Sequence, residues 1–126
     1  MARYQFLVFS NPLPGREAEF NAWYDGRHLA DVLAIPGFVS AQRFRCAAGA
    51  GPGGVDHLAI YELESDDPRA ALKRLHARAN SADMLISPAI DLGTVSASLW
   101  SPGVTASAGL IGAIRSTTVT ITTENR

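Results

Sequence analysis

The chain reads as one α+β domain of the ferredoxin-like kind, with element order β-α-β-β-α-β. Three observations predict this. Four β-rich or alternating segments occupy residues 3–10, 38–47, 56–64 and 93–102. A helical stretch lies between the first and second, and another between the third and fourth. The length of 126 residues fits one domain. Such an order gives one antiparallel four-stranded sheet with both helices on one face, and it leaves the other face bare.

"RYQFLVFS" (Arg3 to Ser10) opens the fold as a strand. Tyr4, Phe6 and Val8 share one face, and Leu7 and Phe9 the other. A strand apolar on both faces asks for cover on both, which is a first indication of a dimer. "NPLPG" is turn chemistry. "REAEFNAWYDGR" is a helix with Ala18, Phe20, Ala22, Trp23 and Tyr24 on its apolar side. Gly26 predicts a break or kink, with "HLADVL" as a separate helical turn ended by "IPG".

"FVSAQRFRCA" alternates at period two. That pattern sets Phe38, Ser40, Gln42, Phe44 and Cys46 against Val39, Ala41, Arg43 and Arg45. "AGAGPGG" is expected to be a flexible loop. "DHLAIYELE" puts His57, Ala59, Tyr61 and Leu63 on one strand face. In "DDPRAALKRLHARANS" Asp67 is the cap, Pro68 starts the first turn, and Ala71, Leu72 and Leu75 point inward. "GTVSASLWSP" is the fourth strand. The domain thus covers residues 1–101, and 102–126 form a C-terminal extension, either an extra strand or a dimer arm.

Composition narrows the function. A net charge of −1 with no basic stripe excludes an electrostatic nucleic-acid footprint. No apolar run reaches a membrane span, and "MARYQFLVFS" does not suit a signal peptide. One cysteine, Cys46, excludes an internal disulfide and fits a reducing, cytoplasmic setting. The three His and one Cys have no metal-ligand spacing. "GAGPGG" lacks the Lys and the strand-to-helix context of a phosphate loop. No metal and no cofactor is therefore expected.

"FNAWYDGRHLADVLAIPGF" (residues 20–38) carries the chemistry. His28 titrates near neutral pH and suits general acid/base work. Asp25 and Asp31 stand three residues to either side, within reach of its ring on a helix. Tyr24 can donate to a carbonyl or enolate oxygen, while Trp23 and Phe20 can wall a flat apolar substrate. His57 and Tyr61 join if their strand face meets the helices. The same residues also suit a purely structural role. His28 would then be a capping donor, the two Asp helix-end polar groups, Trp23 core, and His57 structurally partnered. His76, among Lys73, Arg74 and Arg78, is surface.

The stretch "WYDGRHLADVLAIPGF" resembles the signature of the EthD-like branch of the dimeric α+β barrel superfamily, roughly W-Y-x-x-x-H-L-P-D-x-L-x-x-P-G-F. Trp23, Tyr24, His28, Leu29, Asp31, Leu33, Pro36, Gly37 and Phe38 match. Asn11, Pro14, Gly15 and Phe20 suit it as well, and Ala30 stands where such proteins carry Pro. The resemblance implies a homodimer whose two sheets form a barrel, with a cleft between sheet and helices in each subunit. The resemblance speaks to the architecture more than to the reaction; the His/Asp/Tyr cluster beside aromatic walls is what suggests a small-molecule substrate and a cofactor-independent reaction. Isomerisation, cyclisation or dehydration of a hydrophobic, oxygenated, cyclic or aromatic metabolite fits best, with His28, Asp31 and Tyr24 as the catalytic group. A cofactor-free monooxygenase and a non-catalytic binding or accessory protein are the alternatives.

Overall fold

The computed structural model of the chain describes residues 1–109 and 122–123. The strands are β1 (Ala2–Pro12), β2 (Phe38–Arg45), β3 (His57–Ser65) and β4 (Ile90–Trp100). They form one antiparallel sheet in the order β2-β3-β1-β4. Helices α1 (Glu17–Trp23), α2 (Leu29–Leu33) and α3 (Pro68–Arg78) complete the β-α-β-β-α-β plan. β3 alternates strictly: His57, Ala59, Tyr61, Leu63 and Ser65 are buried, and the residues between them are half-buried. That is the pattern of a strand with a core on one side and an open face on the other. Fully buried Phe20, Ile35, Leu63 and Ala71 pack on the covered side. Leu7, Phe9, Leu58 and Ile60 line the open side and are only half-buried. No helix of the described residues is long and apolar enough to cross a membrane.

α3 follows its sequence signals. The Asp67 carboxylate accepts from the Ala70 N–H at 3.1 Å, Pro68 opens the helix, and Ala71 and Leu75 are buried. Four expectations are corrected. First, Gly26 does not break the first helix. Between α1 and α2 the chain makes a π-helical turn, Tyr24–His28, so helical structure runs on from Glu17 to Leu33. At about 100° per residue, eight ordinary helical residues would carry Val32 about 80° round from Tyr24. The wide turn takes up one extra residue and returns Val32 to the buried face with Phe20 and Tyr24.

Second, β2 does not alternate uniformly. A register shift between Phe38 and Ser40 puts buried Phe38 on the same side as Ala41 and Arg43, and leaves Phe44 exposed on the open face. Third, the glycine-rich loop before β3 is fastened. Asn11 donates to the Gly54 carbonyl at 3.0 Å and accepts from the Asp56 N–H at 2.8 Å. Gly51 N–H donates to the Asp56 carboxylate at 3.1 Å. Fourth, β4 starts at Ile90, three residues before Gly93, because Asn11 and Pro12 at the end of β1 pair with Asp91 and Ile90. In the C-terminal extension, Val104–Thr105 pairs antiparallel with Thr122–Thr123 in a ladder separate from the main sheet. The rest of "STTVTITT" and "SAGLIGAI" lies largely outside the described residues.

Phe20 has no exposed surface and touches the rings of Trp23, Tyr24 and His57. Phe20→Ala is expected to cost about 3–5 kcal/mol, against about 1 kcal/mol for Asp67→Ala. Urea denaturation of both variants measures the difference.

Candidate functional site

The π-helical turn lies over the covered face of the sheet and concentrates the aromatic and titratable groups there. Trp23 is anchored by its indole N–H, which donates to the Leu85 carbonyl at 2.9 Å. The His28 ring stacks on Trp23 at 4.4 Å between centroids, and meets the Tyr24 ring edge-on at 5.1 Å. Phe20 closes the far side, 5.3 Å from Tyr24 and 5.1 Å from His57. Six of the eight residues singled out in the sequence, Phe20, Trp23, Tyr24, His28, His57 and Tyr61, therefore converge. Asp25 and Asp31 are placed differently. Asp25 accepts from Arg43 at 2.9 Å, and Asp31 pairs with Arg27 at 3.4 Å. Neither accepts a hydrogen bond from His28, whose Nδ1 is buried without a partner.

Burial pushes the His28 imidazole down to about 4, and the Asp31 carboxylate opposes this only in part. His28 is thus a neutral ring at pH 7. His57 is also lowered, first by burial and then by the Arg43 and Arg45 charges. Both buried tyrosines are held protonated. Burial raises Tyr24, against the Tyr61 and Ser10 hydroxyls and the Arg43 charge. Burial raises Tyr61 further still, with Tyr24 adding to the effect.

Arg43 was not anticipated as a site residue. Its guanidinium lies 4.5 Å from the Tyr24 ring centroid and 5.4 Å from that of Phe20. Nη1 donates to Asp25, and Nη2 reaches Asn21 Oδ1 at 3.1 Å and His57 Nδ1 at 3.2 Å. Since arginine only donates, His57 Nδ1 accepts and the proton sits on Nε2. The available signal was an arginine in alternation with Ala41: a charge on the covered face of a strand needs a partner across the core. Ser10 was missed for want of any signal. A serine at a strand end is unremarkable until its burial, 1% exposed, is known.

Among the described residues, the buried side-chain polar atoms without a hydrogen-bond partner are Ser10 Oγ, His28 Nδ1, Arg43 Nε and Tyr61 Oη. All four surround Tyr24. The Ser10 and Tyr61 hydroxyls still act on the Tyr24 hydroxyl, so the unpaired atoms with no such neighbour are His28 Nδ1 and Arg43 Nε, at a cost of about 1–3 kcal/mol each. No group of three or more His, Cys, Asp or Glu suited to a metal ion occurs among the described residues.

No family model matches the chain, and no curated protein matches it. Among solved structures it is similar to an ethyl tert-butyl ether D (EthD) family protein from Bacillus halodurans C-125. The two share 12% sequence identity with a TM-score of 0.45, over 79% of this chain and 96% of that one.

The His28 shift has a consequence for stability. The unfolded chain takes up a proton near 6.5, whereas the folded chain resists it down to about 4. Folding stability therefore falls as pH drops through that window, by as much as roughly 3 kcal/mol at full protonation. His28→Gln is expected to flatten this fall, read as the difference in denaturation midpoint between pH 7.5 and pH 4.5.

Proposed function

We propose that the chain is a cofactor-independent enzyme of proton-transfer chemistry: an isomerase, cyclase or dehydratase acting on a hydrophobic, oxygenated, cyclic or aromatic metabolite. The observation that carries this reading is the neutral, unpartnered His28 held edge-on to a protonated Tyr24. A free imidazole can accept a carbon-bound proton while a tyrosine hydroxyl donates a hydrogen bond to the adjoining carbonyl oxygen. The proton then returns to the substrate at another atom, so no co-reactant is consumed. Trp23 supplies a flat apolar wall, fully buried Phe20 supports it from behind, and Asp31 contributes through its charge, not through contact.

A homodimer belongs to the same proposal. The open sheet face bears half-buried Leu7, Phe9, Leu58 and Ile60 beside Phe44, which is 44% exposed. An apolar hollow of about 330 Å³ bordered by Phe9, Phe44, Val55, Leu58 and Ile60 continues that face. Pairing two such faces would cover the surface that a single chain leaves bare. A binding protein without turnover is the second reading, favoured by the near-complete burial of Tyr24 and Tyr61.

Two experiments test these statements. In a screen of cyclic ketones, enols and phenols, His28→Ala is expected to lose at least about 100-fold in turnover. Wild-type activity should persist in acid down to pH about 4, set by the lowered His28. Full activity of His28→Ala would remove the acid/base role. For assembly, light scattering should give twice the chain mass for wild type and the single mass for Phe44→Glu.

A further inference from the structure

A groove of about 610 Å³ runs between α1 with the turn that follows it and the segment 85–88 that leads into β4. Its apolar surface comes from Ala22, Trp23, Leu85, Ile86 and Pro88. Three hydrogen bonds tie its two walls together. Trp23 Nε1 donates to the Leu85 carbonyl at 2.9 Å, Arg16 Nη1 to the Pro88 carbonyl at 3.2 Å, and Ser87 Oγ to the Glu19 carboxylate at 3.5 Å. The space between the walls is therefore preformed. A cleft of this size, mostly apolar with a few placed polar groups, suits a small flat ligand. The His28 ring stacks on Trp23 but is not among the residues that border the groove, so the groove is separate from the His28–Tyr24 pair.

The two charged residues on the groove differ in what they lack. Glu19 is satisfied: its two carboxylate oxygens accept from Arg16 Nη2 at 2.9 and 2.8 Å, and one of them also from Ser87. Arg27 is not. Its bond to Asp31 leaves from Nε at 3.4 Å, and neither Nη donates to a group among the described residues. The side chain is 49% exposed, so a ligand can reach those donors. The planar guanidinium presents parallel N–H groups that match both oxygens of a carboxylate. From this we infer that the groove is a binding site for an aromatic carboxylic acid, with its ring against Trp23, Leu85 and Ile86 and its carboxylate on the Nη atoms of Arg27. A cation finds no open acceptor there, because Glu19 is already engaged. A neutral alcohol meets Arg27 with one oxygen and no charge. The site goes beyond the proposed function and requires no turnover at His28.

The probe is 2-naphthoate, with 2-naphthalenemethanol as its uncharged counterpart, each titrated by calorimetry at low ionic strength, where an exposed charge is least screened. Wild type is expected to bind the acid at least about tenfold more tightly than the alcohol. Arg27→Gln should bring the acid down to the affinity of the alcohol. Ala22→Tyr, at an exposed helix position, should fill the groove and weaken both ligands. Both variants change exposed side chains, so their melting temperatures should match that of wild type. The inference is overturned if wild type does not bind the acid, or binds acid and alcohol alike. It is equally overturned if Arg27→Gln keeps the preference for the acid, or if Ala22→Tyr binds as wild type does. None of these measurements reads turnover, so the groove and the His28 chemistry can fail separately.

Discussion

The Arg43 guanidinium ties the sheet to the helical layer at the point where that layer is least regular. It leaves β2 on the covered face and reaches Asp25, inside the π-helical turn, and Asn21, one turn earlier. The same group orients His57 on the neighbouring strand and lies against the Tyr24 ring. A wide helical turn loses backbone hydrogen-bond regularity and needs outside support. A buried cation in turn needs acceptors that can stay in place. Each feature answers the need of the other. The bulge early in β2 belongs to the same arrangement, because it leaves Phe38 and Arg43 on one side of the strand.

The architecture was legible because its signals are local and redundant. The strict alternation from His57 to Ser65 and the Asp67-Pro68 start of α3 each fix an element without reference to the rest. The chemistry-bearing cluster was legible for the same reason, since Phe20, Trp23, Tyr24 and His28 lie within nine residues of chain. What escaped was anything decided by pairing. A one-residue bulge reverses the faces of a strand, and nothing in "FVSAQRFR" announces it. Gly26 carried the opposite error. A glycine in a helix reads as a breaker, yet here it sits inside a turn held by tertiary contacts, where packing outweighs propensity. Asp25 and Asp31 were placed near His28 by spacing alone, and each found an arginine instead.

The electrostatics of the site run against the stability of the fold. His28 is held neutral by burial, both tyrosines are held protonated, and His28 Nδ1 and Arg43 Nε stay unpaired beside them. Local inconsistency of this sort is uncommon in a well-packed core and concentrates where a protein does something besides fold. The aromatic contacts around Phe20 and the regular core on β3 supply the surplus that tolerates it.

The extra residue in the π-helical turn acts as a phase shift between two helical stretches. Upstream of it the helix presents Phe20 and Tyr24; downstream it presents Val32. A relative that closes this turn into an ordinary helix would be one residue shorter there. Matching the two chains position by position would then set His28 against a side chain that points elsewhere. Only a gap placed within Tyr24–His28 would keep equivalent faces together, so the extra residue sets where two such chains can be compared face for face.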